Sequence, residues 1–297
     1  MRVFLTGASG FIGSAVIEQL QAAGHDVLGL ARNDDNAAKL QAVGAAVHRG
    51  DVNEPETLAM GAAACDATIH CAFIHDFSKF EENIAIDRRA VETMLAAMEG
   101  SGKPFILTSG TLMADADLEA TEEDGPSKDG AGAMRGATEL VVEDFAGRGV
   151  RAMTVRLPQV HDIQRHGLIT YAIEAARTKG VSAYIGDGSA RWAAAHVSDV
   201  ARLYRLVLEY GQAGARYHAV GEFGVSMRDI AEAVGRRLNL PVVSITPEEA
   251  PAHFGFLAMF ANRDATTSSR LTQERLNWKP TGPGLIADLE VPDLAGA

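Results

Sequence analysis

The sequence contains only two cysteines, Cys65 and Cys71, among 297 residues. Two closely spaced cysteines exclude a disulfide framework, and no cysteine or histidine cluster has zinc spacing, so we predict no metal site. Apolar runs are too short to cross a bilayer, and the one after Met1 is too short for a signal peptide. Positive charge is scarce as well: 27 Lys and Arg stand against 39 Asp and Glu, which disfavours a nucleic-acid partner. We therefore expect a cytoplasmic protein without membrane or nucleic-acid partners.

The first half of the chain alternates short apolar runs with amphipathic stretches. The runs predict strands at Arg2–Thr6, Asp26–Leu30, Ala45–His48, Ala67–Cys71, Phe105–Thr108 and Arg151–Arg156. The stretches between them predict helices, for example at Phe11–Ala23, Pro55–Ala64, Ile84–Met98 and Met134–Ala146. Such alternation is typical of right-handed βαβ units. It predicts an α/β fold with a Rossmann-type, doubly wound parallel sheet.

After about Leu157 helical patterns dominate and the predicted strands are short. The helices are Ile163–Lys179, Ser198–Tyr210, Ser226–Leu238, Pro247–Phe260 and Ser268–Leu276, and the strands include Arg216–Val220 and Val242–Ile245. We therefore predict a dinucleotide-binding domain over 1–160 and a mainly substrate-binding lobe over 161–297, with segments around 193–220 returning to the main domain. The acidic stretch Asp115–Asp129 is interpreted as a solvated, mobile loop. As a lid it would disfavour anionic substrates.

A glycine-rich turn follows the first predicted strand and opens the first predicted helix. Gly7 permits a tight turn, Gly10 lets the backbone approach a pyrophosphate, and Gly13 allows the helix to pack closely on the strand. The helix N-terminus also presents free N–H groups and a positive dipole end to phosphates. Three glycines in a turn can be purely structural, but this context predicts a dinucleotide site formed by Gly7, Ser9, Gly10, Phe11, Ile12 and Gly13.

The residue after the second strand bears on the choice of cofactor. An acid there binds the adenosine ribose hydroxyls of NAD, whereas an Arg accommodates the 2′-phosphate of NADP. Arg32 fills this position, so we predict NADP rather than NAD, with a solvated surface Arg as the alternative. The nearby negative charges of Asp34 and Asp35 also affect the electrostatic potential at Arg32. Asp51 follows the third strand and is expected either to reach the adenine or to cap the next turn.

Several motifs resemble those of the extended short-chain dehydrogenases/reductases, the NAD(P)-dependent epimerase/dehydratase-like family. Thr6–Gly13 resembles the family's glycine motif, and Arg156–His161 its Arg-Pro-x-x-Val-Tyr segment. Gly186-Asp187-Gly188 with Arg191-Trp192, His196–Ala201 and Leu276–Thr281 resemble the substrate-lobe and closing signatures. The resemblance covers essentially the whole chain. It implies further cofactor contacts from Val52, Ala72, Phe73, Leu157, Pro158 and Val160.

The chain departs from this family at the active site. Family members carry a Tyr and a Lys four residues apart on the helix after the fifth strand. Alignment on Glu139 places Ala131 at the Tyr position and Arg135 at the Lys position, and no Tyr precedes Tyr171. The sequence therefore resembles an atypical subgroup that lacks the Tyr-x-x-x-Lys motif. Arg135 can still position the nicotinamide ribose and supply a fixed positive charge, or it can form an i,i+4 ion pair with Glu139.

The remaining catalytic candidates are hydroxyls and histidines. Ser109 and Thr111 follow the fifth strand, at the edge of the sheet where open α/β folds bind ligands. Either hydroxyl could polarise a substrate carbonyl, or both could form local bonds to the backbone. His75 and His161 follow the fourth and sixth strands in loops that we expect to face the cofactor, and either could exchange a proton. We interpret His70 and His196 as structural.

These observations predict an NADP(H)-dependent oxidoreductase that transfers a hydride between nicotinamide and a small carbonyl, alcohol or imine. One alternative is a nucleotide-sugar epimerase or dehydratase. Another is a non-catalytic NADP-binding sensor or partner protein. The resemblance also implies a homodimer, formed by the helices Ile84–Met98 and Met134–Ala146, in which apolar Ala90, Met94, Ala97 and Val141 line the interface or else face the sheet.

Overall fold

The computed structural model describes residues 1–114 and 119–291. The strands in this part of the chain are β1 Arg2–Thr6, β2 Asp26–Ala31, β3 Ala46–Arg49, β4 Ala67–His70, β5 Pro104–Gly110, β6 Arg151–Leu157, β7 Gln159–His161, β8 Ser182–Ile185, β9 Arg191–His196, β10 Arg216–His218, β11 Glu222–Ser226 and β12 Val242–Ile245.

The helices that pack on these strands are mostly amphipathic. They are α1 Phe11–Ala22, α2 Asp34–Ala42, α3 Pro55–Ala63, α4 Phe80–Met98, α5 Gly130–Gly147, α6 Ile169–Lys179, α7 Val197–Tyr210, α8 Met227–Leu238, α9 Ala250–Phe254, α10 Ala258–Ala261, α11 Arg270–Leu276 and α12 Leu285–Leu289. Short 3-10 turns occur at Phe77–Lys79, Thr111–Met113 and Gly255–Leu257.

The main sheet has seven strands in the order β10-β6-β5-β4-β1-β2-β3. All neighbouring strands are parallel, and Val3 of β1 is in register with Val27 on one side and Ala67 on the other. The chain order reverses between β1 and β4, which is where open sheets of this kind leave a crevice for a ligand. The predicted Rossmann-type, doubly wound parallel sheet is therefore confirmed.

Two apolar layers cover this sheet because successive strand residues point to opposite faces. Val3 and Leu5 of β1 pack with α1 and α7, whereas Phe4 packs with α3, α4 and α5. All three side chains are completely buried. This explains why the predicted strands are apolar throughout rather than alternating.

The C-terminal half forms a smaller lobe and also contributes to the main sheet. Its own sheets are β11-β9-β7 and β12-β8, and Trp192 of β9 lies in an apolar cluster with residues of α6 and α8. β10 instead extends the main sheet beside β6. Trp278, after α11, is fully buried and its indole N–H donates to the carbonyl of Asp199 in α7. These contacts fasten the end of the chain to the part of the molecule that carries the main sheet.

Several predicted elements differ from the observed ones for identifiable reasons. The single helix expected over Pro247–Phe260 is divided into α9 and α10, because Gly255 has a positive φ of 57°. The helix predicted from Ile163 begins only at Ile169. The pattern also missed α2, in which Ala37 and Leu40 are the buried residues.

The expected dimer residues are mainly core residues. Ala90 and Met94 are completely buried among the side chains of α3 to α5, so they face their own sheet. Ala97 is exposed and Val141 is partly buried. No helix in the described residues is long and apolar enough to cross a membrane.

Part of the acidic stretch Asp115–Asp129 lies outside the described residues, at 115–118. The remainder is held in place rather than free in solvent. Ala120 exchanges two backbone hydrogen bonds with Thr266 and Ser268, and buried Glu122 accepts a hydrogen bond from the backbone of Thr272. The expectation of a solvated, mobile loop is therefore wrong at Ala120 and Glu122, whereas Glu119, Glu123, Lys128 and Asp129 are exposed.

A buried histidine on β10 makes stability depend on pH. His218 is fully buried, its Nδ1 lies 2.8 Å from the carbonyl oxygen of Ser268 and its Nε2 faces Arg156. Burial and the Arg156 charge lower the pKa of His218 from 6.5 to about 3. The unfolded chain therefore takes up a proton near pH 6.5 that the folded protein does not accept until about pH 3.

We expect the free energy of unfolding to fall by up to about 1.4 kcal/mol per pH unit between these values because of His218. Urea unfolding at pH 7.5, 6 and 4.5 measures this slope. In His218→Asn, which keeps a donor for Ser268 but cannot titrate, the slope should be shallower. An unchanged slope in that variant would contradict the assignment.

Candidate functional site

A cleft of about 720 Å³ lies at the carboxyl ends of the central strands, between the main sheet and the lobe. Its floor is the turn between β1 and α1. One end is formed by residues after β2 and β3, and the other by residues after β5 and β6 together with α6 and α10. Every cofactor-binding residue predicted above lines this cleft. So do the candidate catalytic residues Ser109, Thr111, Arg135 and His75, whereas His161 does not.

The glycine turn is shaped for a phosphate group. Gly7 has a positive φ of 66°, and a Cβ there would lie 2.7 Å from the backbone of Cys71. A Cβ at Gly13 would overlap the carbonyl oxygen of Gly7. α1 begins at Phe11 without a side-chain cap and without an acidic residue in its first turn, so its first N–H groups are available to an anion. This uncapped helix start fits the pyrophosphate of a dinucleotide.

The end of the cleft beyond β2 carries one guanidinium, that of Arg32. β2 ends at Ala31, so no carboxylate occupies its last position. Asp34 does not neutralise Arg32, because it accepts a hydrogen bond from Arg49 at 2.6 Å. Arg32 makes no ion pair with any residue that the structure describes. The end of β2 therefore offers an unpaired cation to a ligand.

Asp51 forms the turn expected in one of the two alternatives, and its place in the cleft leaves contact with an adenine as a prediction. It lines the cleft beside Val52. Its Oδ1 also accepts hydrogen bonds from the backbone N–H and the side-chain amide of Asn53, at 2.9 and 2.7 Å. The carboxylate is thus held in a turn at the cleft wall.

Arg135 projects from α5 and stacks on Phe73, with its guanidinium carbon 3.8 Å from the ring centroid. Glu139, one turn further along α5, is paired with Arg156 instead, at 2.7 Å. The alternative of an Arg135–Glu139 ion pair is therefore wrong. The Arg156–Glu139 pair is buried and fixes β6 to α5, while Arg135 remains at the cleft.

The hydroxyls after β5 are not equivalent. Ser109 donates to Glu139 Oε1 at 2.6 Å, so its proton is committed to a buried carboxylate. Thr108, which the sequence analysis did not select, donates to Cys71 Sγ at 3.3 Å and lies 2.6 Å from the Tyr204 hydroxyl. Thr111 lines the cleft, and its side-chain hydroxyl has no hydrogen-bond partner among the described residues, although its backbone carbonyl accepts from Ala114. Its hydroxyl is the one that remains free to donate to a ligand.

Burial raises the pKa of the Cys71 thiol to about 11, although hydrogen bonds with Thr108 and Tyr204 oppose that shift. Burial also raises the pKa of the Tyr204 phenol well above its usual value. Both groups are therefore protonated at neutral pH. Neither is a base or a nucleophile at the cleft under these conditions.

The two candidate histidines lie in different environments. His75 lines the cleft, packs edge-on against Phe73 at 5.2 Å, and has its pKa lowered by loss of solvent and by the Arg135 charge. His161 is in β7, fully buried, with Nδ1 2.7 Å from Asp288 Oδ2. The expectation that His161 faces the cofactor is therefore wrong, because its ring points to α12. His70, as expected, is interior, between Thr6 and Asp87.

The sequence analysis missed an apolar wall at the end of the cleft beyond β5 and β6. We call this the distal wall, formed by Ile74, Phe80, Leu112, Met113, Leu168, Tyr171 and Phe260. Its lobe members come from the start of α6 and from α10, and they pack against the lobe core. These residues fit ordinary helical and strand patterns in the sequence, so nothing in the pattern separated them from core residues.

The fold and this cleft define a nucleotide-cofactor protein of the Rossmann type. The model of the NAD dependent epimerase/dehydratase family matches residues 3–220. The chain therefore belongs to this family, and the resemblance inferred from the motifs is confirmed. In the described residues no group of histidine, cysteine or acidic side chains could hold a metal ion.

The chain is 44% identical to an uncharacterized protein of Saccharomyces cerevisiae over 292 residues, covering 97% of this chain and 98% of that one. It is 26% identical to a 4-hydroxy-2-methyl-3-oxo-4-farnesyl-3,4-dihydroquinoline-1-oxide ketoreductase of Stigmatella aurantiaca, over 86% of this chain and 80% of that one. Among solved structures, a dTDP-glucose 4,6-dehydratase of Streptomyces venezuelae with NAD and TYD bound superposes with a TM-score of 0.79 at 20% identity, over 97% and 96% of the two chains. This last likeness concerns the fold.

Proposed function

We propose that the protein is an NADP(H)-dependent oxidoreductase that reduces a carbonyl, or oxidises the corresponding alcohol, without a Tyr acid. The observation that carries this proposal is the free hydroxyl of Thr111 on the same cleft as the glycine turn and Arg135. Open α/β sheets bind ligands at the carboxyl ends of their strands, so a hydroxyl donor after β5 supports this role. The similarity to a ketoreductase supports the same reaction class.

When bound, the nicotinamide supplies or accepts the hydride. The protein must then hold the reacting oxygen and stabilise the negative charge that develops on it. Thr111 donates a hydrogen bond to that oxygen. Arg135, kept in place by Phe73, contacts the ribose and adds positive potential.

The proton for the product alcohol comes from His75 or from water. His75 lines the cleft near Arg135, and its pKa lies below 6.5. Its neutral form therefore predominates at pH 7, and it receives a proton readily only when an alcohol is oxidised. In the reductive direction, a contribution from His75 would grow as the pH falls below 6.5.

The choice of NADP is supported by Arg32. It follows β2 without a competing carboxylate, since Asp34 is paired with Arg49. A guanidinium in this position suits a 2′-phosphate. The absence of an acid at the end of β2 removes the partner that NAD's ribose hydroxyls would use.

The direct test follows NADPH absorbance at 340 nm with a panel of ketones, aldehydes and imines. We expect turnover with at least one class of neutral carbonyl and little with NADH. Tight NADPH binding without turnover of any compound in the panel would contradict the enzyme proposal. That result would favour a non-catalytic sensor.

The role of Arg135 gives a second measurement. Arg135→Ala should raise the Kd of NADPH and lower kcat, each by about tenfold, because a charge-assisted ribose contact and the stack on Phe73 are lost. Arg135→Lys should retain more of both, since a ribose contact does not require a bidentate fork. Equal losses in the two variants would argue that the guanidinium shape, and not its charge, matters.

A further inference from the structure

The distal wall has the chemistry of an apolar binding surface. Leu168, Tyr171 and Phe260 are partly exposed on the cleft side and packed against the lobe core behind. The ring of Tyr171 is braced edge-on by Phe256, 4.9 Å away. Aromatic and aliphatic side chains that are held rigidly in a cleft bind apolar groups well, because they lose little conformational freedom on binding.

Positive charge is scarce at this end of the cleft. Among the described residues that line the cleft, Arg32 and Arg135 are the cationic side chains. Arg32 follows β2, three strands away from β5, or about 14 Å at the usual strand spacing. The segments 115–118 and 292–297 contain no Lys or Arg. Arg263 does not line the cleft but donates to the Leu112 carbonyl at 3.2 Å. Arg165 lies at the glycine-turn end instead, with its guanidinium carbon 5.3 Å from the ring centroid of Phe11.

In the part of the chain that the structure describes, a diphosphate group bound against this wall would meet only Arg263 nearby, and that guanidinium is already bonded to the Leu112 carbonyl. Arg135 is engaged with Phe73 and, in the proposed function, with the cofactor ribose. Burying two phosphate charges without partners is costly. The net charge of −12 of the whole chain adds a further repulsive field. An uncharged ligand avoids both the burial of unpaired charge and the repulsion by the net charge of the chain.

We propose that the substrate is an uncharged carbonyl compound whose apolar chain or ring packs on Leu168, Tyr171 and Phe260, and not a nucleotide-linked sugar. This inference rests on the proposed function, because it takes Thr111 as the donor to the carbonyl oxygen. Gln159, a polar residue that lines the cleft, accepts a hydrogen bond from the backbone N–H of Leu168 at 2.9 Å. This hydrogen bond fixes the backbone of Leu168 and so helps to position the distal wall.

N-Alkylacetamides test this inference separately from turnover, because they present a carbonyl and a chain but do not accept a hydride. Calorimetric titration into protein saturated with NADP⁺ should give a Kd that falls by about three- to fourfold per methylene from N-ethyl to N-hexyl. 6-Acetamidohexanoate, which ends the same chain in a carboxylate, should bind at least about tenfold more weakly than N-hexylacetamide. UDP-glucose should not displace the amide.

Phe260→Ala should raise the Kd of N-hexylacetamide by about tenfold and reduce the change in Kd per methylene across the series. Phe260→Leu, which disturbs the lobe less, should give a smaller loss in the same direction. Met259→Ala is the matched control, because Met259 is the preceding residue of α10 and its side chain is exposed. It should bind the series like the unmodified protein.

A Kd that is independent of chain length, equal binding of the carboxylate, or displacement by UDP-glucose would overturn the inference. So would equal effects of Phe260→Ala and Met259→Ala. If the amide series behaves as expected but no carbonyl is reduced, the proposed reaction fails while the ligand class stands. If carbonyls are reduced with no preference for apolar chains, the reaction stands and this inference fails.

Discussion

Replacing Thr111 by alanine is expected to lower kcat for carbonyl reduction by about 10²- to 10³-fold, while the Kd of NADPH stays near its original value. The expected loss is that of one hydrogen-bond donor to a developing oxyanion. We assign the donor role to Thr111 because the neighbouring hydroxyls already donate elsewhere. Ser109 donates to Glu139 at 2.6 Å, and Thr108 donates to Cys71. Steady-state kinetics and NADPH titration by fluorescence measure the two quantities.

Two further variants, one at Thr111 and one at Ser109, distinguish a lost hydrogen bond to the substrate from a loss of protein stability. Thr111→Ser keeps the hydroxyl and should retain most of kcat. Ser109→Ala removes the bond to buried Glu139 and should lower the unfolding free energy by about 1–3 kcal/mol, with a smaller effect on kcat than Thr111→Ala. If Ser109→Ala lowers kcat more than Thr111→Ala does, then Ser109 exchanges partners when substrate binds and the assignment of the donor role to Thr111 is wrong.

Replacing Arg32 by alanine should abolish a preference for NADPH over NADH. A charge-assisted contact with the 2′-phosphate contributes roughly 1–3 kcal/mol, which corresponds to about 5- to 150-fold in Kd. NADH binding should change little, because its ribose carries no phosphate for the guanidinium to meet. Parallel titrations of both cofactors with each protein give the ratio directly.

Lys39→Ala is the appropriate control for this variant. Lys39 is a nearby exposed cation on α2 that does not line the cleft, and its removal leaves the Arg49–Asp34 pair intact. Its loss changes the net charge by the same amount as Arg32→Ala, so a general electrostatic effect would appear in both. The assignment of Arg32 fails if the unmodified protein binds NADH as tightly as NADPH.

The sheet was predictable from the sequence because its strands are apolar on both faces and alternate with helices. The lobe was less predictable. β7 has only three residues, and the pairing of β7, β9 and β11 joins residues far apart in the chain, such as Val160 with Ala195. α2 was missed because its helical signal is a cap: Asn33 accepts a hydrogen bond from the backbone of Asn36, while few apolar residues follow.

The candidate site likewise contains residues that local sequence predicts and residues whose role depends on distant partners. The glycine turn is local, so its residues and their role follow from spacing alone. The partner of Ser109 is Glu139, thirty positions away and on another element, and no pattern in the sequence links them. His161 illustrates the opposite error: its position after a strand suggested a cleft loop, but it lies in β7 and pairs with Asp288. Side-chain partners set these roles, and partners depend on tertiary packing.

The placement of β10 has a consequence for the growing chain during translation. β6 ends at Leu157, but the strand that covers its edge begins only at Arg216. At about 5–20 residues per second, the ribosome needs roughly 3–12 seconds to synthesise the intervening segment. During that time β6 is an open edge, and open edges pair readily with strands of other chains. This edge of the nascent main sheet is therefore shielded from misassembly only after much of the lobe has been made.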